Sequence, residues 1–170
     1  MTEPNPNRTL EAQLHDLLSD GRQVTIATAE SCTGGNIAHR ITLNAGSSTY
    51  FLGGVVSYAN SVKQHVLGVP EAILANPGAV SGPCALAMAE GVRTLMGADL
   101  AISTTGIAGP IGGTVRKPVG LVYIALATPE RTTVEEHHFE GDRRAVIEAT
   151  TDRALEMLLT AVESPDAPSA

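Results

Sequence analysis

Three loops of this sequence place nucleophilic, basic or glycine-rich residues where a strand is predicted to end. The first loop, residues 30–35 (ESCTGG), sets Ser31 and Cys32 between an apolar strand and a helix. A sharp strand-to-helix turn exposes a nucleophilic side chain and directs helix N–H groups at a developing oxyanion. The pattern leaves three interpretations open: a hydroxyl or thiol nucleophile, a Ser or Thr cap on a helix, or an anion-binding turn.

The second loop, residues 57–63, follows the next predicted strand and contains Tyr58 and Lys63. A serine nucleophile needs a base, and a lysine that is partly desolvated beside an active site has its pKa lowered toward that task. The chain has one other lysine, Lys117, and among its histidines only His65 falls beside such a loop. The alternative interpretation is a solvated surface lysine next to a half-buried tyrosine.

The third loop, residues 105–118, is rich in glycine and proline and joins two apolar strands. Small residues at this density between buried strands are typical of backbone that approaches a small ligand closely. A mobile surface loop is the alternative, but it leaves the attachment to two buried strands unexplained. We therefore expect this loop to line a ligand site.

The elements that would position these loops alternate between helix and strand. Apolar stripes, caps and apolar runs predict helices near residues 10–18, 36–41, 60–67, 82–96 and 143–162, and strands at 23–29, 50–58, 98–104, 119–128 and 131–140. This alternation indicates a three-layer α/β/α sandwich around a largely parallel or mixed sheet. Ligands of such sheets bind beyond the carboxyl ends of the strands, where the three loops would meet. Residues 1–162 are predicted to form a single domain and residues 163–170, rich in Pro and Ser, a disordered tail.

Composition excludes several classes of function. The chain has 170 residues, a net charge of −7 and 3% aromatic residues, which argues against a nucleic-acid surface. No apolar run approaches the roughly 18 residues of a membrane span, and the first residues lack the apolar segment of a signal peptide. We therefore expect a cytoplasmic protein in which Cys32 and Cys84 are reduced thiols. Neighbours in residues 135–138 (EEHH) point to opposite faces of a strand, so no metal site is expected there.

Taken together, these segments resemble the CinA C-terminal domain family, also called the nicotinamide-nucleotide amidase family. The similar stretches are residues 25–35 (TIATAESCTGG), 46–63 (GSSTYFLGGVVSYANSVK), 67–70 (LGVP), 103–123 and 139–143. They are long, occur in the family's order and extend the resemblance from about residue 10 to residue 162.

The resemblance implies an α/β/α fold, commonly a homodimer, that acts on a small-molecule pyridine nucleotide. The implied reaction is hydrolysis of the carboxamide of nicotinamide mononucleotide to nicotinate mononucleotide and ammonia, with neither metal nor cofactor. The alternative is a nucleotide-binding module of the same fold that turns nothing over.

The resemblance also assigns roles to individual residues. Ser31 matches the family's nucleophile, which favours it over Cys32, and Lys63 matches the base, with Tyr58 assisting it. Backbone N–H groups in residues 32–35 would stabilise the oxyanion. The residues implied to contact the substrate are Thr33, Gly34, Gly35, Ser48, Thr105, Gly106 and, at the 5′-phosphate, Arg143.

Overall fold

The computed structural model of the chain describes residues 8–19, 21 and 23–164. Its strands are β1 (Ile26–Glu30), β2 (Phe51–Val56), β3 (Leu100–Gly106), β4 (Leu121–Ala127) and β5 (Thr132–His138). They form one five-stranded sheet in the order β2–β1–β3–β4–β5. β1 pairs in parallel with both β2 and β3, whereas β4 and β5 continue the sheet antiparallel. The carboxyl ends of β1, β2 and β3 therefore lie along the same edge.

Helices cover both faces of this sheet. They are α1 (Leu10–Ser19), α2 (Asn36–Thr42), α3 (Asn60–His65), α4 (Glu71–Ala75), α5 (Gly82–Met96) and α6 (Arg143–Glu163). α1, α2 and α6 pack on one face, and α5 packs on the other. The mixed α/β/α sandwich predicted from the sequence is confirmed.

The two faces of the sheet carry side chains of different size. Successive residues of a strand point to opposite faces, so Ile26 of β1 belongs to the α1/α2/α6 core while Ala27 belongs to the α5 core. β4 repeats the pattern with Ile124 and Ala125. Alanines on one face let α5 approach the sheet closely, and the larger residues on the other face fill the space beneath three helices.

The predicted helix starts are confirmed by their caps. The Ser81 hydroxyl accepts a hydrogen bond from the N–H of Cys84 at the start of α5, and the Asp142 carboxylate accepts one from Ala145 at the start of α6. These contacts satisfy N–H groups that a helix leaves unpaired at its first turn.

Other boundaries differ from the sequence prediction. β1 begins at Ile26 rather than at residue 23, and α4 has no counterpart among the predicted helices. Glu163, placed in the predicted tail, is the last residue of α6, and residues 165–170 of that tail lie outside the described residues. No helix in the described part of the chain combines the length and apolar character needed to cross a membrane.

Candidate active site

Ser31 is the first residue of a tight turn between β1 and α2. Its N–H donates to the carbonyl of Thr104 on the neighbouring strand at 2.9 Å, and its own carbonyl accepts from the N–H of Gly34 at 3.1 Å. Gly34 and Gly35 have φ values of +63° and +99°, a region that side-chain-bearing residues rarely adopt. The glycine pair thus allows the chain to reverse sharply and leaves Ser31 at the end of the strand.

Glu30, the last residue of β1, holds this turn from the inside. Its side chain is buried, with 1% exposure. One carboxylate oxygen accepts from the Thr33 hydroxyl at 2.6 Å and from the N–H groups of Gly35 at 3.1 Å and Ile37 at 3.0 Å. The other oxygen accepts from the N–H of Ala38 at 2.9 Å. The carboxylate therefore fills the N-terminus of α2, where an anion is electrostatically favoured.

Lys63, on α3, reaches the same point from the second loop. Its side chain is 1% exposed, and its Nζ lies 3.1 Å from the Ser31 Oγ and 2.6 Å from the Ser57 carbonyl oxygen, to which it donates. Burial lowers the pKa of Lys63 below its ordinary value. No carboxylate within residues 8–19, 21 and 23–164 forms an ion pair with it. The environment therefore favours the neutral amine.

A neutral Lys63 can act as a base toward Ser31. The amine donates an N–H to the Ser57 carbonyl, which orients the nitrogen, and its lone pair is then free to accept the proton of the Ser31 hydroxyl. The separation of 3.1 Å between the two atoms lies within the range for such a transfer. The structure thus brings together the serine and lysine that the sequence singled out.

The two cysteines are buried and unreactive. Burial raises the pKa of Cys32 to about 12 and also raises that of Cys84. A thiol reacts as its thiolate, so both side chains stay in the unreactive protonated form at neutral pH. Of the two nucleophiles that the sequence pattern left open, the geometry favours Ser31.

The N–H groups available to an oxyanion are fewer than predicted. Gly34 donates to Ser31 and Gly35 donates to Glu30, so both are already committed. Cys32 and Thr33 are the turn residues whose N–H groups form no hydrogen bond with another of the described residues. The predicted oxyanion contacts are thereby narrowed from residues 32–35 to the N–H groups of Cys32 and Thr33.

The Thr33 side chain also differs from expectation, because it points inward. Thr33 is 4% exposed, its hydroxyl donates to Glu30, and that hydroxyl lies 2.8 Å from the Thr104 hydroxyl. Since the Thr33 proton is engaged by Glu30, the Thr104 hydroxyl donates in the second bond. The Thr33 side chain therefore braces the turn, and a contact between Thr33 and the substrate stays a prediction.

A cavity of about 280 Å³ opens in front of Ser31. Pockets for small ligands start at roughly 300 Å³, so this one suits a compact substrate. Its walls come from all three predicted loops and from the start of α6, and they include Ser31, Tyr58, Lys63, Thr105, Gly106 and Arg143.

Tyr58 and Arg143 meet at the mouth of this cavity. The Arg143 guanidinium donates to the Tyr58 hydroxyl at 2.8 Å and to the Gly109 carbonyl at 2.9 Å. No carboxylate in the described part of the chain pairs with Arg143, so its charge remains available to an anion. Tyr58 was expected to assist Lys63, but no hydrogen bond joins these two among the described residues. The charged donor of Arg143 engages the tyrosine hydroxyl instead.

Thr105 and Gly106 line the cavity at the end of β3, but neither offers a free side-chain group to a ligand. The Thr105 hydroxyl donates to the Ala79 carbonyl at 2.7 Å, so it ties β3 to the segment before α5. Gly109 in the third loop and Gly120 just after it also have an internal cause. A Cβ on Gly120 would lie 2.1 Å from the Phe139 carbonyl oxygen, and one on Gly109 would lie 2.5 Å from a Val119 methyl. Glycine at these two positions lets the chain pack against itself, and Gly109 also lines the cavity, as was expected of the third loop.

Thr33, Gly34 and Gly35 were predicted to contact the substrate, but they do not line this cavity. Ser48 does not line it either. It is exposed and lies in a short 3₁₀ helix (Ser47–Thr49) immediately before β2. The cavity lies beyond the opposite, carboxyl end of β2, where Tyr58 and Lys63 follow that strand. The length of β2 therefore separates Ser48 from Ser31 within one chain.

Sequence reasoning missed the roles of Glu30 and Ser57. A carboxylate at the end of an apolar strand, immediately before a glycine turn and a helix, is the signal that could have identified Glu30 as a helix-terminus anion. Ser57 acts through its backbone carbonyl, and a backbone contact leaves no residue-specific signal.

Comparisons with a family profile, with curated proteins and with solved structures all identify the same family. The profile of the CinA C-terminal domain family matches residues 7–162. A CinA-like protein of Syntrophus aciditrophicus is 50% identical over 163 residues, covering 95% of this chain and 39% of that protein. The solved competence/damage inducible protein CihA of Agrobacterium tumefaciens is 38% identical, with a TM-score of 0.86 over 96% of this chain and 100% of the other. A competence or damage-inducible protein of Enterobacter asburiae gives a TM-score of 0.86 at 31% identity, over 92% and 100%.

The curated relatives are much longer than this chain. The chain spans 39%, 33% and 36% of three of them, from Syntrophus aciditrophicus, Geobacter sulfurreducens and Salinibacter ruber. The similarity concerns the region that carries the Ser31 turn, Lys63 and the cavity.

Proposed function

The chain belongs to the CinA C-terminal domain family, and from that premise we propose that it is an amidohydrolase that deamidates nicotinamide mononucleotide. Ser31 is the nucleophile, Lys63 is the base, and the products are nicotinate mononucleotide and ammonia. The observation that carries this proposal is the contact of 3.1 Å between the Lys63 Nζ and the Ser31 Oγ inside a buried niche.

The reaction proceeds in two halves. Neutral Lys63 takes the proton of the Ser31 hydroxyl as Oγ attacks the carboxamide carbon, and the N–H groups of Cys32 and Thr33 hold the developing oxyanion. The charged Lys63 then gives its proton to the departing nitrogen, and ammonia leaves an acyl-enzyme at Ser31. Water, deprotonated by Lys63, hydrolyses this ester and restores the serine.

The charges around the cavity support one orientation of the bound substrate. The N-terminus of α2 is filled by the Glu30 carboxylate, so a substrate phosphate cannot use it. Arg143 lines the cavity and has no carboxylate partner among the described residues. We place the 5′-phosphate at Arg143 and the carboxamide at Ser31. Comparing nicotinamide mononucleotide with its dephosphorylated riboside tests this: Arg143→Ala should raise KM for the nucleotide and leave the riboside unaffected.

The reaction itself is tested by ammonia release from nicotinamide mononucleotide. Wild type should release ammonia and Ser31→Ala should not, because no other hydroxyl among the described residues is hydrogen-bonded to Lys63. Ser19→Ala, at the end of α1 and outside the cavity, is the matched control and should match wild type. Full activity in Ser31→Ala would contradict the mechanism.

A nucleotide-binding module without turnover is the alternative. Calorimetric binding of nicotinamide mononucleotide to wild type with no ammonia released would favour it. The close serine–lysine contact favours the enzyme, because binding alone has no need for a buried lysine without a carboxylate partner. The homodimer implied by the resemblance stays a prediction, and sedimentation equilibrium measures it.

A further inference from the structure

Glu30 is a buried group beside Ser31 that takes no part in the proposed reaction. It is 1% exposed and lies one residue before the nucleophile. We propose that Glu30 is a positioning residue that fixes Ser31 and Lys63 relative to each other, an inference that rests on the proposed serine–lysine chemistry. Two separate arms of hydrogen bonds carry it, one from the side chain and one from the main chain.

The side-chain arm holds the turn that presents Ser31. The carboxylate accepts from the hydroxyl of Thr33 and from the N–H groups of Gly35, Ile37 and Ala38, at 2.6 to 3.1 Å. These donors extend from the middle of the turn into the first residues of α2. Both the turn and the helix start are therefore fixed to one point at the end of β1.

The main-chain arm reaches Lys63. The Glu30 carbonyl accepts from the N–H of Ser57 at 2.8 Å, as β2 ends beside β1. The carbonyl of Ser57 in turn accepts from the Lys63 Nζ at 2.6 Å. Glu30 is thus adjacent to the nucleophile in sequence and two hydrogen bonds away from the base in space.

The donor set requires a carboxylate rather than an amide. All four side-chain partners of Glu30 donate, and a carboxylate is a pure acceptor with two oxygens. A glutamine of the same shape presents an NH₂ group at one of these positions. In either orientation of the amide, that group faces at least one N–H donor at a buried site. The turn must shift to relieve this contact, and the Ser31 Oγ shifts with it.

The test replaces Glu30 with glutamine and separates chemistry from binding. We measure kcat for ammonia release from nicotinamide mononucleotide, the calorimetric Kd of the nucleotide, and the rate at which a small alkyl fluorophosphonate labels Ser31. In the labelling step Oγ bonds to phosphorus as fluoride leaves, and Lys63 takes the hydroxyl proton. Glu30→Gln should lower kcat and the labelling rate about 100-fold, the effect of a misplacement near 1 Å, while Kd stays close to wild type.

Chemical rescue distinguishes positioning from general destabilisation. Glu30→Ala leaves the four donors around an empty space, which formate can fill as a substitute carboxylate. Added formate should restore labelling of Ser31 with saturation, whereas formamide, of equal size but carrying an NH₂ group, should not. If Glu30→Ala does not fold, Thr33→Val takes its place. It removes one donor and should slow labelling to a smaller extent at unchanged Kd.

Glu11→Gln provides the matched control. Glu11 is a mostly buried carboxylate, 9% exposed, that accepts from Arg40 at 2.6 and 3.1 Å and does not line the cavity. Its glutamine variant should lose stability and keep kcat, Kd and the labelling rate. Labelling slowed equally in Glu11→Gln and Glu30→Gln would reduce the role of Glu30 to ordinary stability and overturn the inference.

The possible outcomes distinguish a failure of this inference from a failure of the proposed function. If wild type labels at Ser31 but releases no ammonia from the nucleotide, the substrate is wrong, and slowed labelling in Glu30→Gln still supports the positioning role. If wild type releases ammonia and Glu30→Gln matches it in kcat and labelling rate, the proposed function stands and the role of Glu30 is refuted.

Discussion

Glu30 and Lys63 are two ionisable side chains that are buried to the same extent near the ends of neighbouring strands, but their hydrogen-bond partners differ. Each is 1% exposed. Glu30 is surrounded by four donors, which satisfy its carboxylate from several directions. Lys63 contacts a carbonyl and the Ser31 hydroxyl, and no carboxylate within the described residues pairs with it.

The difference shows how one region can hold a rigid group beside a reactive one. A carboxylate whose oxygens are all engaged has no capacity left for a substrate, so Glu30 serves as structure. Desolvation without a compensating charge lowers the pKa of Lys63 and leaves its lone pair available. The rigid member holds the turn that bears Ser31, and the reactive member faces it.

The largest expected effect is the loss of activity in Lys63→Met. Removing a general base typically lowers kcat by about 10²–10⁴-fold, because the serine proton then has no acceptor in the niche. Ammonia release from nicotinamide mononucleotide measures this effect. Lys117→Met, at the chain's other lysine and outside the cavity, is the control and should keep wild-type activity. Comparable activity in both variants would remove Lys63 from the reaction.

The second prediction concerns the stability of the Glu30→Gln variant. Glu30→Gln should lower the free energy of unfolding by about 3 kcal/mol, because a charged acceptor of four buried hydrogen bonds is lost and a donor is left facing donors. Urea denaturation at neutral pH measures it. An unchanged midpoint would mean that the turn rearranges without cost and that Glu30 is not the rigid member.

The sheet and its loops could be predicted because their causes are local. Apolar runs, the Ser81 and Asp142 caps and the glycine turn are visible in the sequence, and parallel strands bring their carboxyl ends together. Ser31 and Lys63 stood out because few nucleophiles and bases fall on those loops.

The partners of each side chain could not be predicted, since they depend on three-dimensional packing. Sequence gives no sign that Arg143 engages Tyr58 or that the Thr33 hydroxyl points inward to Glu30. The third loop illustrates the same limit. Gly109 in this loop packs against Val119, and Gly120 just after the loop packs against Phe139; neither contact is visible in a local sequence pattern.

The third prediction concerns the pH dependence of the stability of Lys63→Met. Burial lowers the folded-state pKa of Lys63 below the unfolded value of about 10.4. Between these two pKa values the unfolded chain binds more protons, so the stability of wild type rises with pH. At any lower pH wild type carries a penalty, because folding must either release the lysine proton or bury the charge. Lys63→Met should therefore be more stable than wild type at neutral pH, with a gain that shrinks as pH approaches about 10.4.

Denaturation curves at several pH values measure this difference. Lys117→Met, whose wild-type side chain reaches the Pro77 carbonyl near the surface, should show no comparable trend. A stability gap between Lys63→Met and wild type that widens with rising pH would contradict the inferred sign.

The smallest expected effect is that of Cys32→Ala, which tests a third ionisable group in the same region. Burial raises the pKa of Cys32 to about 12; the charge of Glu30 adds to this rise and the charge of Lys63 opposes it. The thiol thus stays neutral, neither held like Glu30 nor reactive like Lys63. Cys32→Ala keeps the N–H that we assign to the oxyanion, so activity should match wild type while stability falls by about 1 kcal/mol through lost packing. Loss of ammonia release in Cys32→Ala, at a temperature where the variant is folded, would return the thiol to the candidate nucleophiles.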